Sequence, residues 1–379
     1  MLDDQPLRIL HCFRSPVGGI FRHVRDLAKA QAAAGHMVGI VCDSTTGGAH
    51  EARLFETIAP SLALGIHRTP IHRHVGAGDI VAACRTFRIM RGLQPDVLHG
   101  HGAKGGAYAR VFGSLLRWSN SRAVRIYSPH GGSLHYDRQK LSGRLMFASE
   151  RLLERFATDC LLFVSDDEAK TYSLKVGRPL VPFRRVYNGL HAEEFTPVVP
   201  NDDAADFLYV GMMRDLKGPD IFIEALAHAS EIVKKPLCAI MVGDGDGLPK
   251  YFAQVQALGI TGQVTFRPAM PARAAFSLGR VLVIPSRAEA MPYIVLEALA
   301  ARIPMLASAV GGIPEILGDN SASLVEATPI SLARRLAETI DGPDLLRSAL
   351  PDISEMQSRF SADSMAEEIE RAYRDVSRR

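Results

Sequence analysis

Two glutamates with a fixed spacing lie in a strongly apolar stretch of this 379-residue sequence. Glu289 and Glu297 are eight positions apart in the run VLVIPSRAEAMPYIVLEALAARIPMLASAVGGIPEIL, residues 281–317. A carboxylate is rarely buried without a partner, and an ionised one can accept hydrogen bonds from two neighbouring hydroxyl groups. The two acids are therefore candidates for binding a hydroxyl-rich ligand. The alternative is a pair of solvated or salt-bridged structural acids.

The elements around these acids follow from the same run. Residues 281–284 are uniformly apolar and β-branched or aliphatic, which predicts a parallel strand buried on both faces and stopped by Pro285. A helix is predicted to begin near Pro292, and its apolar composition indicates that protein surrounds it. In open α/β folds ligands bind beyond the carboxyl ends of the strands, so both acids are expected to lie at such an edge.

A second group of candidate residues follows a predicted strand over 206–210. Arg214 and Lys217 lie in the loop GMMRDLKG, directly before a predicted helix. On the residues alone, a solvated basic turn is one interpretation of this loop. Further on, the acids of the GDGDG segment (243–247) are interpreted as turn formers and not as a metal site.

The first half of the chain begins with a β-α-β pattern: a strand over 7–13, a helix over 20–34 and a strand over 37–42. Gly18 and Gly19 lie in the predicted loop, where they would let the backbone approach a ligand. The pair is not a dinucleotide fingerprint, because G-x-G-x-x-G is absent. A plain turn is the alternative.

Two histidines follow predicted strands in this half. His101 comes after a strand over 96–99 and is expected to open a glycine-rich loop, and His130 follows a strand over 124–128 in the segment PHGG. A neutral imidazole can donate one hydrogen bond to a hydroxyl group while the fold holds its other nitrogen. A lone histidine after a strand is more often structural, so this reading stays open on the residues alone.

Taken together, these motifs resemble those of the retaining glycosyltransferases of family 4, the group 1 transferases. The resemblance rests on E-x7-E followed by GGIPE, on DVLHGH and on PHGG, and it covers almost the whole chain. It implies the α/β GT-B fold, with two Rossmann-like, doubly wound domains facing each other across a cleft. The expected boundaries are an acceptor-side domain over 1–187, a nucleotide-sugar domain over 188–360 and a helix over 361–379 that returns to the first domain.

The resemblance also implies roles for individual residues. Glu289 would face the donor sugar as a catalytic residue together with His130, Glu297 would bind the ribose, and Arg214 with Lys217 would hold the diphosphate. Arg267 corresponds to the segment lining the base pocket. The remaining matches are donor-binding positions, Gly18, Gly19, Ala290, Met291 and Ile294, and two acceptor-side positions, His101 and Lys104. No metal ion or other cofactor is implied.

The sequence departs from the family pattern at two positions. Ala290 replaces the glycine usual after the first glutamate, and Arg302 replaces the glycine usual before Ile303. A methyl group at position 290 could narrow the sugar pocket or shift backbone amides that touch the sugar. The identity of the donor sugar therefore stays open, as does its base.

Charge is distributed unevenly along the chain. Residues 1–190 contain 26 Lys and Arg against 15 Asp and Glu, a net charge of +11, whereas residues 191–379 carry 18 against 26, or −8. A basic half suits an anionic membrane surface or an anionic lipid-linked substrate, although mutual attraction of two domains is an equal alternative. A helix predicted over 138–156 is basic and amphipathic, and such a helix can lie on a membrane or cover a sheet.

The five scattered cysteines indicate reduced thiols, and the acidic N-terminus argues against a signal peptide. We therefore expect a cytoplasmic protein, at the inner face of the membrane if it associates with one, and no nucleic-acid partner. The predicted function is the metal-independent, retaining transfer of a sugar from a UDP-sugar or GDP-sugar to a hydroxyl group of a saccharide or lipid-linked saccharide. The predicted role is cell-surface polysaccharide synthesis. The alternatives are a GT-B sugar-nucleotide epimerase, a non-catalytic nucleotide-sugar-binding subunit and an NAD-dependent enzyme, the last disfavoured by the missing fingerprint.

Overall fold

The chain divides into two compact units. The computed structural model describes residues 5–71, 78–118, 123–342 and 344–378. One unit comprises Met1–Asn188 together with Ala362–Arg379, and the other comprises Gly189–Ser361. The boundaries predicted from the sequence fall one residue earlier in each case, and Arg379, the predicted end of the last helix, lies outside the described residues.

The first unit contains seven described strands and seven described helices. The strands are β1 (Arg8–Phe13), β2 (Met37–Asp43), β3 (Gly65–Thr69), β4 (Val97–His101), β5 (Val124–Ser128), β6 (Cys160–Phe163) and β7 (Phe183–Arg185). The helices are α1 (Gly18–Ala33), α2 (Ala49–Ile58), α3 (Gly78–Leu93), α4 (Gly102–Trp118), α5 (Leu141–Ala157), α6 (Asp166–Lys175) and, from the end of the chain, α15 (Ala362–Ser377).

The seven strands form one parallel sheet in the order β3-β2-β1-β4-β5-β6-β7. Successive strands are added in one direction from β1 to β3 and in the other from β4 to β7. The direction therefore reverses between β1 and β4, and such a reversal opens a crevice at the carboxyl ends of the two strands. His101 is the last residue of β4 and lies at this edge.

The second unit is built in the same way. Its strands are β8 (Ala205–Val210), β9 (Ala239–Val242), β10 (Val264–Arg267), β11 (Gly279–Ile284), β12 (Met305–Ser308) and β13 (Leu324–Val325). Its helices are α7 (Pro219–Val233), α8 (Leu248–Ala257), α9 (Ala272–Phe276), α10 (Tyr293–Ala300), α11 (Ile313–Leu317), α12 (Pro329–Asp341), α13 (Asp344–Ser348) and α14 (Ile353–Arg359).

The second sheet has the order β10-β9-β8-β11-β12-β13, and its neighbouring strands are parallel. Its direction reverses between β8 and β11. The loops after these two strands are those that carry Arg214 and Lys217 on one side and Glu289 on the other. The predicted α/β class with two doubly wound sheets is confirmed.

Two local predictions were wrong. The glycine-rich stretch after His101 is the first turn of α4 and not a loop, because its glycines allow the helix to lie directly on the sheet. A Cβ at Gly105 would collide with the backbone of Phe13, and one at Gly106 with the ring of Tyr127. Likewise, Gly18 and Gly19, predicted to lie in a loop, begin α1.

Helix α5 is arranged differently from the predicted amphipathic helix. Phe147 is buried, but the apolar residues Leu145, Leu152 and Phe156 are exposed. The inward face instead carries Glu150 and Glu154. Glu150 accepts hydrogen bonds from the buried Arg110 at 2.7 Å and from Tyr127 at 3.0 Å, and Glu154 accepts one from Tyr172 at 3.1 Å. These bonds explain how two acids remain buried while leucines face outward.

Helix α15 completes the core of the first unit. Met365, Ile369 and Tyr373 recur every fourth residue and pack against apolar residues of β1, β4 and β5, including Ile9 and Val97. Within the described part of the chain no helix is both long enough and apolar enough to cross a membrane.

Candidate active site

An ion pair lies where the second sheet reverses direction. Lys217 Nζ is 2.6 Å from Glu289 Oε1, and the Ser286 hydroxyl group donates to the same oxygen at 2.7 Å. The Glu289 side chain is only 8% exposed and that of Lys217 24%. The structure thus brings together a catalytic candidate and a phosphate-binding candidate that are 72 residues apart in sequence.

Three loops hold this pair by direct backbone packing. Gly218 has φ +68° and lies so close to the carbonyl oxygen of Pro285 that a Cβ there would collide with it. Gly311, with φ +57°, lies equally close to the carbonyl oxygen of Glu289, and Gly312 N donates to Ala290 O at 2.9 Å. Only glycine combines a positive φ with so close an approach. The loops after β8, β11 and β12 therefore form one unit around Glu289.

Arg287 ties the loop after β11 to the loop after β8. Its guanidinium group forms a bidentate ion pair with Asp220, at 2.6 and 2.8 Å, and donates to Asp215 O at 2.5 Å. Its backbone nitrogen donates to Leu216 O at 2.9 Å. Partial burial would raise the pKa of Asp220, but the hydrogen bonds from Arg287 outweigh that effect and lower it. Arg287 therefore fixes the position of the segment that carries Lys217.

Sequence reasoning missed Ser286, Arg287 and Asp220. Ser286 and Arg287 directly precede the acid motif and Asp220 directly follows the Arg-Lys loop. Their proximity to two predicted motifs was the available signal. The pairing itself could not be read from sequence, because it joins two strands that are not consecutive in the chain.

The other predicted donor-binding residues of this unit lie nearby but differ in exposure. Arg214 is exposed and directly precedes the short 3-10 turn Asp215–Lys217, and Arg267 is exposed at the end of β10. Met291 is buried, whereas Ile294 and Glu297 are partly exposed on α10. These residues follow β8, β10 and β11 at the carboxyl edge of the sheet.

The GDGDG segment supports the loop after β8. Gly243, Gly245 and Gly247 all lie against backbone atoms of residues 211–213, where a Cβ would collide. Met213 N donates to Asp244 O, and the Asp244 carboxylate accepts a hydrogen bond from Ala269 N at 3.1 Å. The Asp244 carboxylate therefore bonds to a neighbouring loop, and the interpretation of these acids as turn formers stays a prediction.

The two departures from the family pattern have different structural consequences. Arg302 has φ +59°, a left-handed conformation that favours glycine, and its side chain donates to Pro351 O at 2.5 Å. Ala290 is not among the described non-glycine residues with positive φ. A glycine is therefore conformationally favoured at position 302 but not required at position 290.

In the first unit, histidines line the carboxyl edge of the sheet beside the reversal point. His11 pairs with His99 in the register of β1 and β4, and His101 pairs with Ser128 in the register of β4 and β5. Because side chains alternate along a strand, these residues share a face with the apolar Ile9 at the other end of β1. One face of the sheet thus changes from apolar to polar toward its carboxyl edge.

A continuous hydrogen-bond chain connects three of these rings. Gln31 Oε1 lies 2.8 Å from His11 Nε2, His11 Nδ1 lies 3.0 Å from His101 Nε2, and His101 Nδ1 lies 3.0 Å from His130 Nε2. A second branch starts at Tyr373 on α15, whose hydroxyl oxygen is 3.4 Å from Gln31 Nε2. The chain ends at His130, which is partly exposed.

Burial keeps these imidazoles neutral. It lowers the pKa of His11 and of His23 to about 4, against an ordinary value near 6.5. Burial, reinforced by neighbouring imidazoles, also lowers the pKa values of His99, His101 and His130 well below the ordinary value. At neutral pH each ring therefore has one N–H donor and one acceptor nitrogen.

The histidines are close enough to be considered as metal ligands. Nitrogens of His11, His99 and His101, and likewise of His23, His101 and His130, lie within 4.8 Å of one another. Both nitrogens of His101 are already hydrogen-bonded to other imidazoles. A metal ion in either group would have to displace one of these bonds, so the arrangement fits hydrogen bonding better than metal binding.

The remaining first-unit candidates lie at the same edge. Gly18, with φ +68°, and Gly19 form the exposed start of α1, and Lys104 lies in the first turn of α4. His130 itself has φ +50° and is followed by Gly131, whose N–H donates to Glu168 Oε1 at 2.5 Å. Glu168 therefore helps to hold His130 in an uncommon backbone conformation.

Two family models match the chain in succession. Residues 18–189 match the glycosyl transferase 4-like domain, and residues 192–352 match the glycosyl transferases group 1. Two doubly wound sheets followed by these matches define a glycosyltransferase of the GT-B class. The chain belongs to the group 1 glycosyltransferases, and the resemblance noted in the sequence is confirmed.

The chain is similar in sequence to several named glycosyltransferases. The D-inositol 3-phosphate glycosyltransferase of Streptomyces coelicolor is 27% identical over 86% of this chain and 80% of its own length. The enzyme of the same name from Xylanimonas cellulosilytica is 27% identical, but its match spans 43% of this chain and only 44% of that relative. A putative teichuronic acid biosynthesis glycosyltransferase of Bacillus subtilis is 28% identical over 81% of this chain and 76% of its own length.

The fold has solved counterparts. Anabaena HepE, in a crystal structure in complex with UDP-glucose, superposes with a TM-score of 0.78 and 16% identity, covering 97% of this chain and all of that one. Identity at this level supports the shared fold. The predicted GT-B architecture is confirmed, and so is the prediction that the chain is a transferase.

Proposed function

We propose that this glycosyltransferase transfers a sugar, with retention of configuration, from a UDP- or GDP-sugar to a hydroxyl group of a saccharide or lipid-linked saccharide. The observation that carries the proposal is the pairing of Lys217 with Glu289 at the point where the second sheet reverses direction. A cation for phosphate and an acceptor for sugar hydroxyl groups are adjacent there. The UDP-glucose complex of HepE is consistent with such a donor.

In the proposed reaction the bond between the anomeric carbon and the phosphate oxygen breaks first. The departing diphosphate gathers negative charge, which Lys217 and Arg214 would stabilise more in the transition state than in the ground state. The acceptor oxygen then attacks the oxocarbenium-like carbon from the same face, and its proton passes to the departing phosphate oxygen. Two cations would serve here in place of a metal ion, so we expect turnover to persist in EDTA.

The ion pair suggests how donor binding prepares the site. Lys217 is bound to Glu289, so neither group is fully available to another partner. A diphosphate would draw the lysine away because it carries more negative charge, while Ser286 keeps its hydrogen bond to Glu289. The freed carboxylate oxygen could then accept a hydrogen bond from the donor sugar. Glu297 on α10 would bind the ribose, beside Arg267 near the base.

The test is turnover of a panel of UDP- and GDP-sugars with saccharide acceptors. We expect Glu289→Gln and Lys217→Met each to lower kcat/KM by at least about a hundredfold, the range typical of lost transition-state contacts. The matched controls are Glu231→Gln and Lys235→Met, at exposed positions of the same unit. Activity equal to wild type in both site variants would overturn the assignment.

We further propose that the acceptor is membrane-borne and that the protein works at the cytoplasmic face of the membrane, in cell-surface polysaccharide synthesis. The name of the Bacillus relative is consistent with that role. The physical support is α5, where Leu145 and Leu152 are each 61% exposed and Phe156 is 65% exposed. Arg144 and Arg155 are exposed on the same helix. Exposed apolar side chains flanked by arginines suit an anionic lipid surface.

Vesicle co-sedimentation tests this proposal. We expect binding to vesicles containing phosphatidylglycerol at low salt, and loss of most binding in Leu145→Ser/Leu152→Ser/Phe156→Ser. The control, Val199→Ser/Ile232→Ser/Leu258→Ser, removes three exposed apolar side chains from the second unit. Equal binding by the two triple variants, or no binding by wild type, would contradict a membrane role for α5.

A further inference from the structure

We propose that Gln31, acting through His11 and His101, fixes the tautomer of His130 and makes its Nδ1 an acceptor for a hydroxyl group of the substrate. The identity of that substrate rests on the proposed function, but the tautomer does not. Gln31, His11 and His101 are then positioning residues. They lie behind His130, at the inner end of the chain of hydrogen bonds.

The direction of the chain follows from counting protons. A neutral imidazole has one N–H and one lone pair, so each ring that donates on one side must accept on the other. If Gln31 Oε1 accepts from His11 Nε2–H, then His11 Nδ1 accepts from His101 Nε2–H, and His101 Nδ1 accepts from His130 Nε2–H. The remaining nitrogen of His130 then carries no proton.

The amide of Gln31 could reverse this order by turning over. Its nitrogen would then donate to His11, every ring would change tautomer, and His130 Nδ1 would become a donor. Whether the amide turns therefore decides what His130 offers to a ligand.

Tyr373 decides the orientation of the amide. Its hydroxyl oxygen is only 2.6 Å from His99 Nδ1, a distance that suits an O–H donor better than an N–H donor. Tyr373 thus donates to His99, and His99 Nε2–H donates to Ser128 Oγ at 2.8 Å. The tyrosine oxygen is then free to accept from the Gln31 amide nitrogen at 3.4 Å, which leaves Gln31 Oε1 facing His11.

His130 is the last ring of the hydrogen-bond chain, so the direction of the chain determines which nitrogen it presents to a ligand. It is partly exposed, and its Nδ1 has no hydrogen bond with any described residue. Its left-handed backbone and the Gly131–Glu168 hydrogen bond hold the ring at the edge of the sheet. An acceptor nitrogen there selects a hydroxyl donor, as a sugar provides. This inference reverses the expectation from sequence that the imidazole donates.

The decisive measurement is long-range 15N–1H correlation on the full chain labelled with 15N-histidine. We expect His11, His99, His101 and His130 all in the Nε2–H form at neutral pH. Assignment would use single histidine substitutions. A wild-type His130 protonated on Nδ1 would overturn the proposal directly, without any assay of activity.

Two variants test whether Gln31 and Tyr373 determine the tautomer of His130. Gln31→Met keeps the length of the side chain but removes the amide, and Tyr373→Phe keeps the ring but removes the hydroxyl group. In both, we expect His130 to show a mixture of tautomers and kcat/KM for transfer to fall about tenfold, the loss of one hydrogen bond. Tyr373→Phe also keeps the test decisive if Gln31→Met does not fold.

Thr86→Val is the matched control, because it removes a buried hydroxyl group of the first unit that bonds to Thr69 and to none of these histidines. It should leave the tautomer of His130 unchanged. An unchanged His130 tautomer in both Gln31→Met and Tyr373→Phe would refute the proposal. Correct tautomers in a protein that transfers no sugar would instead refute the proposed function alone.

Discussion

Arg302 adopts a backbone conformation that costs an L-amino acid about 1–2 kcal/mol. Its hydrogen bond to Pro351 O offsets part of that cost. We expect Arg302→Gly to have a free energy of unfolding about 1 kcal/mol higher than Arg302→Ala. Both variants lose the hydrogen bond, so the difference reports the backbone alone. Urea unfolding measures it, and equal stabilities would show that the left-handed conformation is not strained.

At the level of single residues, the sequence identified side chains with recognisable chemistry at recognisable spacing. Glu289, Lys217 and His130 could be selected because motifs surround them. Gln31 and Tyr373 could not, since each lies in an ordinary amphipathic helix and they meet across 342 positions of sequence. Periodicity indicates which face of a helix is buried, but it does not indicate which buried polar atoms will meet.

Among the elements, two glycines on either side of α11 differ in what surrounds them. Gly311 and Gly318 both have positive φ, but only at Gly311 would a Cβ collide with another loop, at the carbonyl oxygen of Glu289. We expect Gly318→Ala to lower the free energy of unfolding by about 1–3 kcal/mol, because φ +87° with ψ 139° is a conformation that few residues other than glycine adopt, and to leave transfer unchanged.

Gly311→Ala should cost more stability and should also lower kcat/KM at least about tenfold, because the loop carrying Glu289 must move. Thermal unfolding and transfer assays compare the two variants. Gly318→Ala introduces backbone strain alone, whereas Gly311→Ala introduces backbone strain and a collision with the loop that carries Glu289. If both variants retained full activity, the loop packing would not matter for transfer.

The elements also show where local patterns mislead. The strand Val124–Ser128 was predicted to the residue, because Val124 and Ile126 alternate with polar residues and Pro129 follows directly. The glycines after His101 were taken for a loop, because glycine is a poor helix former. Close packing of α4 on the sheet overrides that propensity, and such packing depends on strands distant in sequence.

The whole molecule should lose stability as pH falls from about 6.5 toward 4. His11 and His23 have pKa values near 4 when folded and near 6.5 when unfolded, so the unfolded state binds more protons in this range. Their contribution is complete above pH 6.5 and declines below it. Each such imidazole adds a slope of up to about 1.4 kcal/mol per pH unit.

Urea unfolding at intervals between pH 7.5 and 5 measures this slope. Carboxyl groups contribute little there, because even unfolded Asp and Glu are mostly ionised above pH 5. His228→Gln, at a histidine whose side chain is 45% exposed, should leave the slope unchanged. A stability independent of pH across this range would show that the buried imidazoles are not kept neutral.

The first unit is assembled from two separated parts of the sequence. Its last helix, α15, is synthesised only after the whole second unit. During synthesis, Leu7, Ile9 and Val97 therefore emerge long before Met365 and Ile369, which cover them. In a nascent first unit these apolar residues are exposed to solvent until α15 has been made. A stop codon just before Ala362 would leave them exposed permanently. His99 can form its hydrogen bond to Tyr373 only after α15 has been synthesised.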